Sequence, residues 1–374
     1  MRQLTLAAAL AVLLATTADT RARQPDKKAD PKAKVDPKAK ADPKAKDDAE
    51  PKFTLKLKTG DIRLGTQLTG AKLTAADLKG KVVVVDFWGV NCAPCLAAMP
   101  GTAALNAELA DFGLVVIGSH VQAAKPDQIK AVAASRGANF PITEQTRVEG
   151  GNDFQGIPHV MVFDHTGACV FRGDPKEAEA KARTAVGEML VAGAGREKFA
   201  AQLAPVVADL KKGQSPLAVL PRVVALQNAA SPTAAADAKA LLAALTAAGQ
   251  KKLDLAQEKA EGEPVEAFLL VEKLPAAYKG TPVAKDAVAL VTKLKKEKAV
   301  KAELAARPAF EVVRQMDAQL AAKVGEEKAS APEFQKANAD LLKQLKAKVA
   351  QMKKSWPDAK VTGEATGIAE KYAP

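Results

Sequence analysis

One segment limits the possible folds more than any other. Residues 81–88 read Lys-Val-Val-Val-Val-Asp-Phe-Trp, and two cysteines separated by two residues follow almost at once. A short run rich in β-branched residues predicts a strand that is buried on both faces. Residues 92–111 then favour a helix that stops at Gly113. The sequence therefore places Cys92 and Cys95 where a central strand becomes a helix.

The flanking sequence alternates predicted strands and helices. A hairpin is expected where residues 53–57 and 62–64 flank the Thr59-Gly60-Asp61 turn. Further strands are predicted at residues 114–119, 160–164 and 168–172, and helices at residues 126–135 and 175–190. This order predicts an α/β domain, a mixed sheet flanked by helices, over residues 53–192.

The cysteine pair carries the chemistry of the predicted domain. Free N–H groups and the partial positive charge of a helix N-terminus favour the thiolate of Cys92, which makes it the expected nucleophile. Cys95, one turn further in, can attack a mixed disulfide on the first cysteine and close a Cys92–Cys95 disulfide. Such a pair could also be half of a zinc site, but only Cys169 and three scattered histidines remain as ligands. We therefore predict no metal and no cofactor.

The residues around this pair resemble a known family. Residues 85–95, Val-Asp-Phe-Trp-Gly-Val-Asn-Cys-Ala-Pro-Cys, are similar to the active-site segment of thioredoxins. Met99-Pro100, Phe140-Pro141 and Gly156-Ile157-Pro158 resemble the exported TlpA/ResA-like branch. The resemblance covers about residues 53–192. It implies a thioredoxin-like fold and a thiol–disulfide oxidoreductase.

The resemblance also implies roles for four further residues. Pro158 would be the cis-proline beside the cysteine pair, and the backbone of Ile157 would pair with a substrate strand. Trp88 would shield the pair, although it could be simply a core aromatic residue. Asp86 corresponds to the buried acid of thioredoxin. A carboxyl in an apolar strand has a raised pKa and can accept the proton of the inner thiol; the alternative is an ordinary hydrogen-bonded aspartate.

Several positions depart from the family pattern. Asn91 stands where a tryptophan is usual, Ala98 where relatives often carry glutamate, and His159 where a small hydroxyl residue is common. These changes leave the dithiol chemistry intact and put substrate choice and reduction potential in doubt. Cys169 is expected to be a buried small hydrophobe, with an intermolecular disulfide as the alternative.

The N-terminal residues predict export. Residues 1–22 combine Arg2, an apolar stretch and small residues, which is typical of a signal peptide; an uncleaved anchor is the alternative. Residues 23–52 repeat Ala-Asp-Pro-Lys-Ala-Lys with small variations, and this low-complexity composition predicts an extended linker. We expect the mature chain to lack a membrane span and to reach an oxidising compartment, the bacterial periplasm, where a cysteine pair can cycle.

Residues 195–374 are rich in Ala, Leu, Lys and Glu, which favours an all-α helical-hairpin region. Residues 237–245 resemble residues 286–294, and a third helix is expected at 363–372. The spacings are too irregular for a defined repeat family. Of the net charge of +12, +8 lies in residues 193–374, where lysines alternate with acids and aromatic residues are few. This pattern indicates a solvated surface, so we predict no nucleic-acid partner.

Two functions are consistent with these features. The first is an exported thiol–disulfide oxidoreductase that exchanges disulfides with protein substrates and is re-reduced by a membrane thiol electron donor. The second is an interaction protein that binds partners through its helical region and keeps the thioredoxin fold as a scaffold. The intact set of Cys92, Cys95, Asp86 and Pro158 favours the first. A thiol peroxidase is disfavoured, because it would need proline and a hydroxyl residue seven and three positions before the first cysteine.

Overall fold

The computed structural model describes residues 54–324 and 329–373, so the expected signal peptide and linker lie outside the described residues. The strands are β1 (Ile62–Arg63), β2 (Thr66–Thr69), β3 (Val82–Trp88), β4 (Leu114–His120), β5 (Ile142–Glu144), β6 (Arg147–Val148), β7 (His159–Phe163) and β8 (Cys169–Gly173). The helices of the sheet region are α1 (Ala93–Leu109), α2 (Pro126–Ser135) and α3 (Pro175–Gly193).

Six of these strands form one mixed sheet in the order β2-β5-β4-β3-β7-β8. Strand β3 is parallel to β4 and antiparallel to β7. All seven of its residues are buried, as expected for a strand with neighbours on both sides and cover on both faces. Val82 and Val84 belong to the same hydrophobic cluster as residues of α1 and α3, whereas Val83 and Val85 pack into a cluster on the other face. This alternation follows from the two-residue period of a strand.

The structure confirms the predicted thioredoxin-like mixed sheet flanked by helices. The predicted hairpin between residues 53–57 and 62–64 is wrong. Residues 59–61 form a short 3₁₀ turn, closed by an N–H···O bond of 2.7 Å from Lys58 to the Asp61 carboxylate. The next two residues pair with Arg147–Val148 instead of folding back on the preceding segment. The local residues therefore form the predicted turn, but the strand that follows pairs with residues far along the sequence.

Ten helices follow within the described residues. They are α4 (Ala204–Lys211), α5 (Pro216–Leu226), α6 (Pro232–Lys259), α7 (Pro264–Val271), α8 (Leu274–Ala277), α9 (Pro282–Leu294), α10 (Lys298–Ala321), α11 (Pro332–Ala337), α12 (Ala339–Ser355) and α13 (Lys360–Glu370). The three helical segments predicted at 237–245, 286–294 and 363–372 lie mainly within α6, α9 and α13. Among the residues that the structure describes, no helix is long and apolar enough to cross a membrane.

The helical region continues the core of the sheet region. Helix α3 contacts β3 and β7 as well as α4 and α6. One hydrophobic cluster extends from Val82 in the central strand to Val300 at the start of α10. Gly187 of α3 lies so close to α4 that an added side-chain carbon would collide with the Leu210 carbonyl. A second cluster extends from Ala306 to Tyr372, so α10 contributes to both cores.

Candidate active site

The cysteine pair lies at the start of α1, immediately after the central strand. Cys92 is the N-cap residue of this helix, and its Sγ accepts the backbone N–H of Cys95 at 3.2 Å. The two cysteines form a disulfide. Cys92 is 6% and Cys95 is 3% exposed, so neither is freely accessible. The first sulfur therefore lies where a helix N-terminus stabilises negative charge, and the second lies one turn deeper.

Asp86 is buried in the strand that leads to the pair. It is 5% exposed and lies in register between Gly118 of β4 and Val160 of β7. Burial raises the pKa of Asp86 to about 6, and the Thr102 hydroxyl, which donates to Oδ2 at 3.3 Å, opposes this shift. A carboxyl with a pKa near neutrality can both bind and release a proton under mild conditions.

The loop before β7 approaches the outer sulfur. The Ile157–Pro158 peptide bond is cis. Sγ of Cys92 lies 3.6 Å from the Ile157 carbonyl oxygen. Antiparallel pairing of β7 with β3 brings this loop to the same end of the sheet as the cysteines. Ile157 is half-buried, and its backbone lies beside the sulfur that the sequence marks as the nucleophile.

Trp88 ends the central strand and is 1% exposed. Its indole packs edge-on against the His120 ring, with 5.0 Å between the ring centres and an interplanar angle of 77°. It belongs to the same hydrophobic cluster as both cysteines. Trp88 therefore forms part of the apolar surroundings of the disulfide, which accommodates both of the roles considered from the sequence.

His159 is buried directly after the cis-proline. Its ring stacks on Phe154 with 4.4 Å between the ring centres. Burial first, and then the nearby Arg172 guanidinium, lower the pKa of His159 to about 4. The imidazole is therefore neutral at physiological pH and brings no positive charge to this end of the sheet.

The other unusual positions have separate surroundings. Ala98 and Thr102 help to line a cavity of about 230 Å³ beside α1. The N–H of Asn91 donates to Oε1 of Gln122 at 2.9 Å. Cys169 is a buried free cysteine on β8, and burial raises the pKa of its thiol, which favours the protonated and unreactive form.

The structure adds two residues that the sequence interpretation missed. His120 and Gln122, at and just beyond the end of β4, hydrogen-bond to the loop before Cys92. Their signal in the sequence is their position at and just after the end of a buried strand. In open α/β sheets, the carboxyl ends of parallel strands meet at one edge, where sites form. Within residues 54–324 and 329–373, no cluster of three or more His, Cys, Asp or Glu side chains could hold a metal ion.

Comparisons with known proteins match part of the chain. Residues 47–167 match the model of the AhpC/TSA family. "Thioredoxin-like protein YneN" of Bacillus subtilis is 31% identical over 102 residues, covering 27% of this chain and 60% of that protein. "Thiol-disulfide oxidoreductase ResA" of Bacillus anthracis is 30% identical over 108 residues, covering 28% of this chain and 61% of that protein. The chain thus spans about 60% of the length of these relatives.

Solved structures also match part of this chain, at low sequence identity. A thiol:disulfide interchange protein of the thioredoxin family from Chlorobium tepidum is 22% identical. The match covers 34% of this chain and 94% of that protein's chain, with a TM-score of 0.30. A thioredoxin-like protein in the oxidised form is 23% identical. The match covers 36% of this chain and 99% of that protein's chain, with a TM-score of 0.32.

Proposed function

We propose that this chain, which carries an AhpC/TSA-type thioredoxin-family domain, is an exported thiol–disulfide oxidoreductase that acts on disulfide-containing proteins. The observation that carries the proposal is the position of Cys92. Its sulfur sits at the N-cap of α1 and accepts the N–H of Cys95, while Cys95 itself is buried one turn further in. This arrangement separates an attacking thiolate from a resolving thiol.

The reaction begins from the reduced pair. The Cys92 thiolate attacks one sulfur of a substrate disulfide, the substrate S–S bond breaks, and one substrate thiolate leaves. The enzyme and substrate are then joined by a mixed disulfide. The amide at the start of α1 stabilises the attacking Cys92 thiolate.

The second cysteine completes the exchange. The Cys95 thiol gives its proton to the Asp86 carboxylate, attacks Sγ of Cys92 and displaces the second substrate thiolate. The products are a Cys92–Cys95 disulfide and a substrate dithiol, so two electrons pass to the substrate. The raised pKa of Asp86, caused by burial, makes this carboxylate a stronger base than an exposed aspartate.

The loop at the cis-proline is proposed to receive the substrate. The Ile157 carbonyl lies beside Cys92, which supports pairing of the neighbouring backbone with an extended segment that carries the target disulfide. Pro158 holds this loop at the start of β7, and Trp88 keeps the sulfur pair in apolar surroundings. Recognition through backbone groups is tolerant of side chains, which suits a protein that acts on several partners.

Turnover requires a second thiol partner. We propose that a membrane thiol electron donor reduces the Cys92–Cys95 disulfide by the reverse exchange, supplying the two electrons that leave with the substrate. The predicted signal peptide over residues 1–22 would deliver the chain to the bacterial periplasm, where both partners are accessible.

Reduction of insulin by dithiothreitol tests the proposal. The full chain should accelerate insulin reduction, and Cys92→Ser should abolish the acceleration. Cys95→Ser should accumulate mixed disulfides with insulin, because the resolving thiol is absent. Cys169→Ser is the matched control: it removes a buried thiol that lies outside the pair and should leave turnover unchanged. An inactive wild-type chain, or trapping by Cys92→Ser instead of Cys95→Ser, would contradict the proposal.

A further inference from the structure

Residues 89–91 form the loop that joins strand β3 to Cys92. The N–H of Val90, in the middle of this loop, donates to Nε2 of His120 at 3.2 Å. His120 is 1% exposed, so water is poorly placed to replace it as an acceptor. A buried backbone N–H that loses its acceptor is costly. The imidazole therefore fixes the course of the loop just before the nucleophile.

The surroundings of His120 keep its ring in the accepting state. Because Nε2 accepts a hydrogen bond, the proton of the neutral ring is on Nδ1. Burial lowers the pKa of His120, and the Glu144 carboxylate, paired with it in register on β5, opposes this with a smaller effect. Trp88 packs against the ring from the central strand. At neutral pH, the ring is uncharged and keeps the Nε2 lone pair that the loop needs.

The residues that follow His120 hold the same loop. Oε1 of Gln122 accepts the N–H of Asn91 at 2.9 Å, and the N–H of Val121 donates to the Trp88 carbonyl at 3.0 Å. Gly89 lies against the Gln122 side chain so closely that an added side-chain carbon would collide with it. The end of β4 therefore contacts the loop at each successive residue.

We propose that His120 and Gln122 are positioning residues for Cys92. They hold residues 89–91 so that Sγ of Cys92 stays 3.2 Å from the Cys95 N–H, where the start of α1 stabilises a thiolate. This inference rests on the proposed function, in which the reduced Cys92 attacks disulfides. Releasing the loop allows the sulfur to move away from that amide. The reduced protein then holds a smaller fraction of reactive thiolate.

Alkylation of the reduced full chain by iodoacetamide tests this directly. The rate at Cys92 is followed by mass spectrometry from pH 5 to pH 9. His120→Leu and Gln122→Leu each remove an acceptor and should slow alkylation at pH 7 by about threefold, because a tenfold loss of thiolate is partly offset by the greater nucleophilicity of a more basic sulfur. His120→Gln offers a carbonyl acceptor in place of Nε2 and should restore the wild-type rate. His165→Leu, in the turn between β7 and β8, is the control.

The outcomes separate positioning from simple structural support. The inference is overturned if both leucine variants are alkylated at the wild-type rate, or if His120→Gln is as slow as His120→Leu. If His120→Leu fails to fold, the alkylation rate of Gln122→Leu decides the outcome, because Gln122 is only half-buried. Alkylation needs no disulfide substrate, so these rates test the positioning role even if the wild-type chain fails to reduce insulin. That separate failure would reject the proposed function alone.

Discussion

Replacing Asp86 by asparagine should make the oxidised protein more stable at neutral pH. Burial raises the pKa of Asp86 from 3.8 to about 6 in the folded chain. The folded state therefore binds a proton more tightly than the unfolded state, and wild-type stability falls as the pH rises from about 4 to about 6. At about 1.4 kcal/mol for each pH unit, the ionised Asp86 costs about 3 kcal/mol above this window. Asparagine has a similar shape, does not titrate and avoids this loss.

Urea unfolding at pH 5 and pH 8 measures the effect. At pH 5, about nine-tenths of the folded molecules carry a protonated Asp86, so wild type should lose about 1.4 kcal/mol relative to Asp86→Asn between pH 5 and pH 8. Asp127→Asn, at an exposed position in the first turn of α2, is the control and should follow wild type. The resolving step should also be slower in Asp86→Asn, because Cys95 loses its proton acceptor.

Parallel pH dependences for wild type and Asp86→Asn would refute this reasoning. They would mean that the carboxyl binds protons equally well in the folded and unfolded chain. A variant that is less stable than wild type at pH 8 would show that the hydrogen bond with Thr102 outweighs the cost of burying the charge. An unchanged resolution rate would remove the catalytic part of the argument and leave Asp86 as a structural strand residue.

Two further substitutions test the packing and electrostatics around the site. Gly187→Ala should destabilise the chain by about 1–3 kcal/mol in thermal or urea unfolding, because its methyl group meets the Leu210 carbonyl; Gly193→Ala on the same helix, with its nearest contact at 4.0 Å, should be tolerated. A destabilisation of equal size in both would contradict the close approach of α3 and α4. Thr102→Val should raise the pKa of Asp86 further, because the hydroxyl bond that opposes the shift is lost, whereas Thr102→Ser should not; infrared titration of the carboxyl in the oxidised protein reads this directly, and equal values in the two variants would count against the bond.

The elements predicted best from the sequence are those that local patterning determines. The four consecutive valines at 82–85 predict a strand that is buried on both faces, and all four are buried. Helix α2 begins and ends at the predicted residues 126 and 135. Strands β2 and β5 were missed because they are short and partly polar, and because their pairing with each other joins residues about 75 positions apart. Ile62–Arg63 shows the same limit, since its partner lies in β6.

The candidate site divides in a similar way. The Cys-x-x-Cys spacing at 92–95 and the acid within an apolar strand are local signals, so the disulfide and the burial of Asp86 could be anticipated from the sequence. The bonds from the end of β4 to residues 89–91 depend on the parallel pairing of two strands, which places Trp88 opposite His120. No local sequence pattern predicts the pairing of these two strands. The close approach at Gly187 likewise depends on where α4 lies, although a glycine inside a helical stretch is a recognised hint of tight packing.

The continuous core links the disulfide to the helical region. Cys92 and Cys95 share one hydrophobic cluster with helices as far as Val300, and α3 is packed between the sheet on one side and α4 and α6 on the other. Formation of the disulfide changes the free energy with which these helices pack against the sheet region only if the packing of the helices changes the reduction potential of the pair by the same free energy. This reciprocity follows from the thermodynamic cycle that links the two processes. A ligand on the outer helices that distinguishes the two redox forms would therefore tune the potential of the pair without approaching either sulfur.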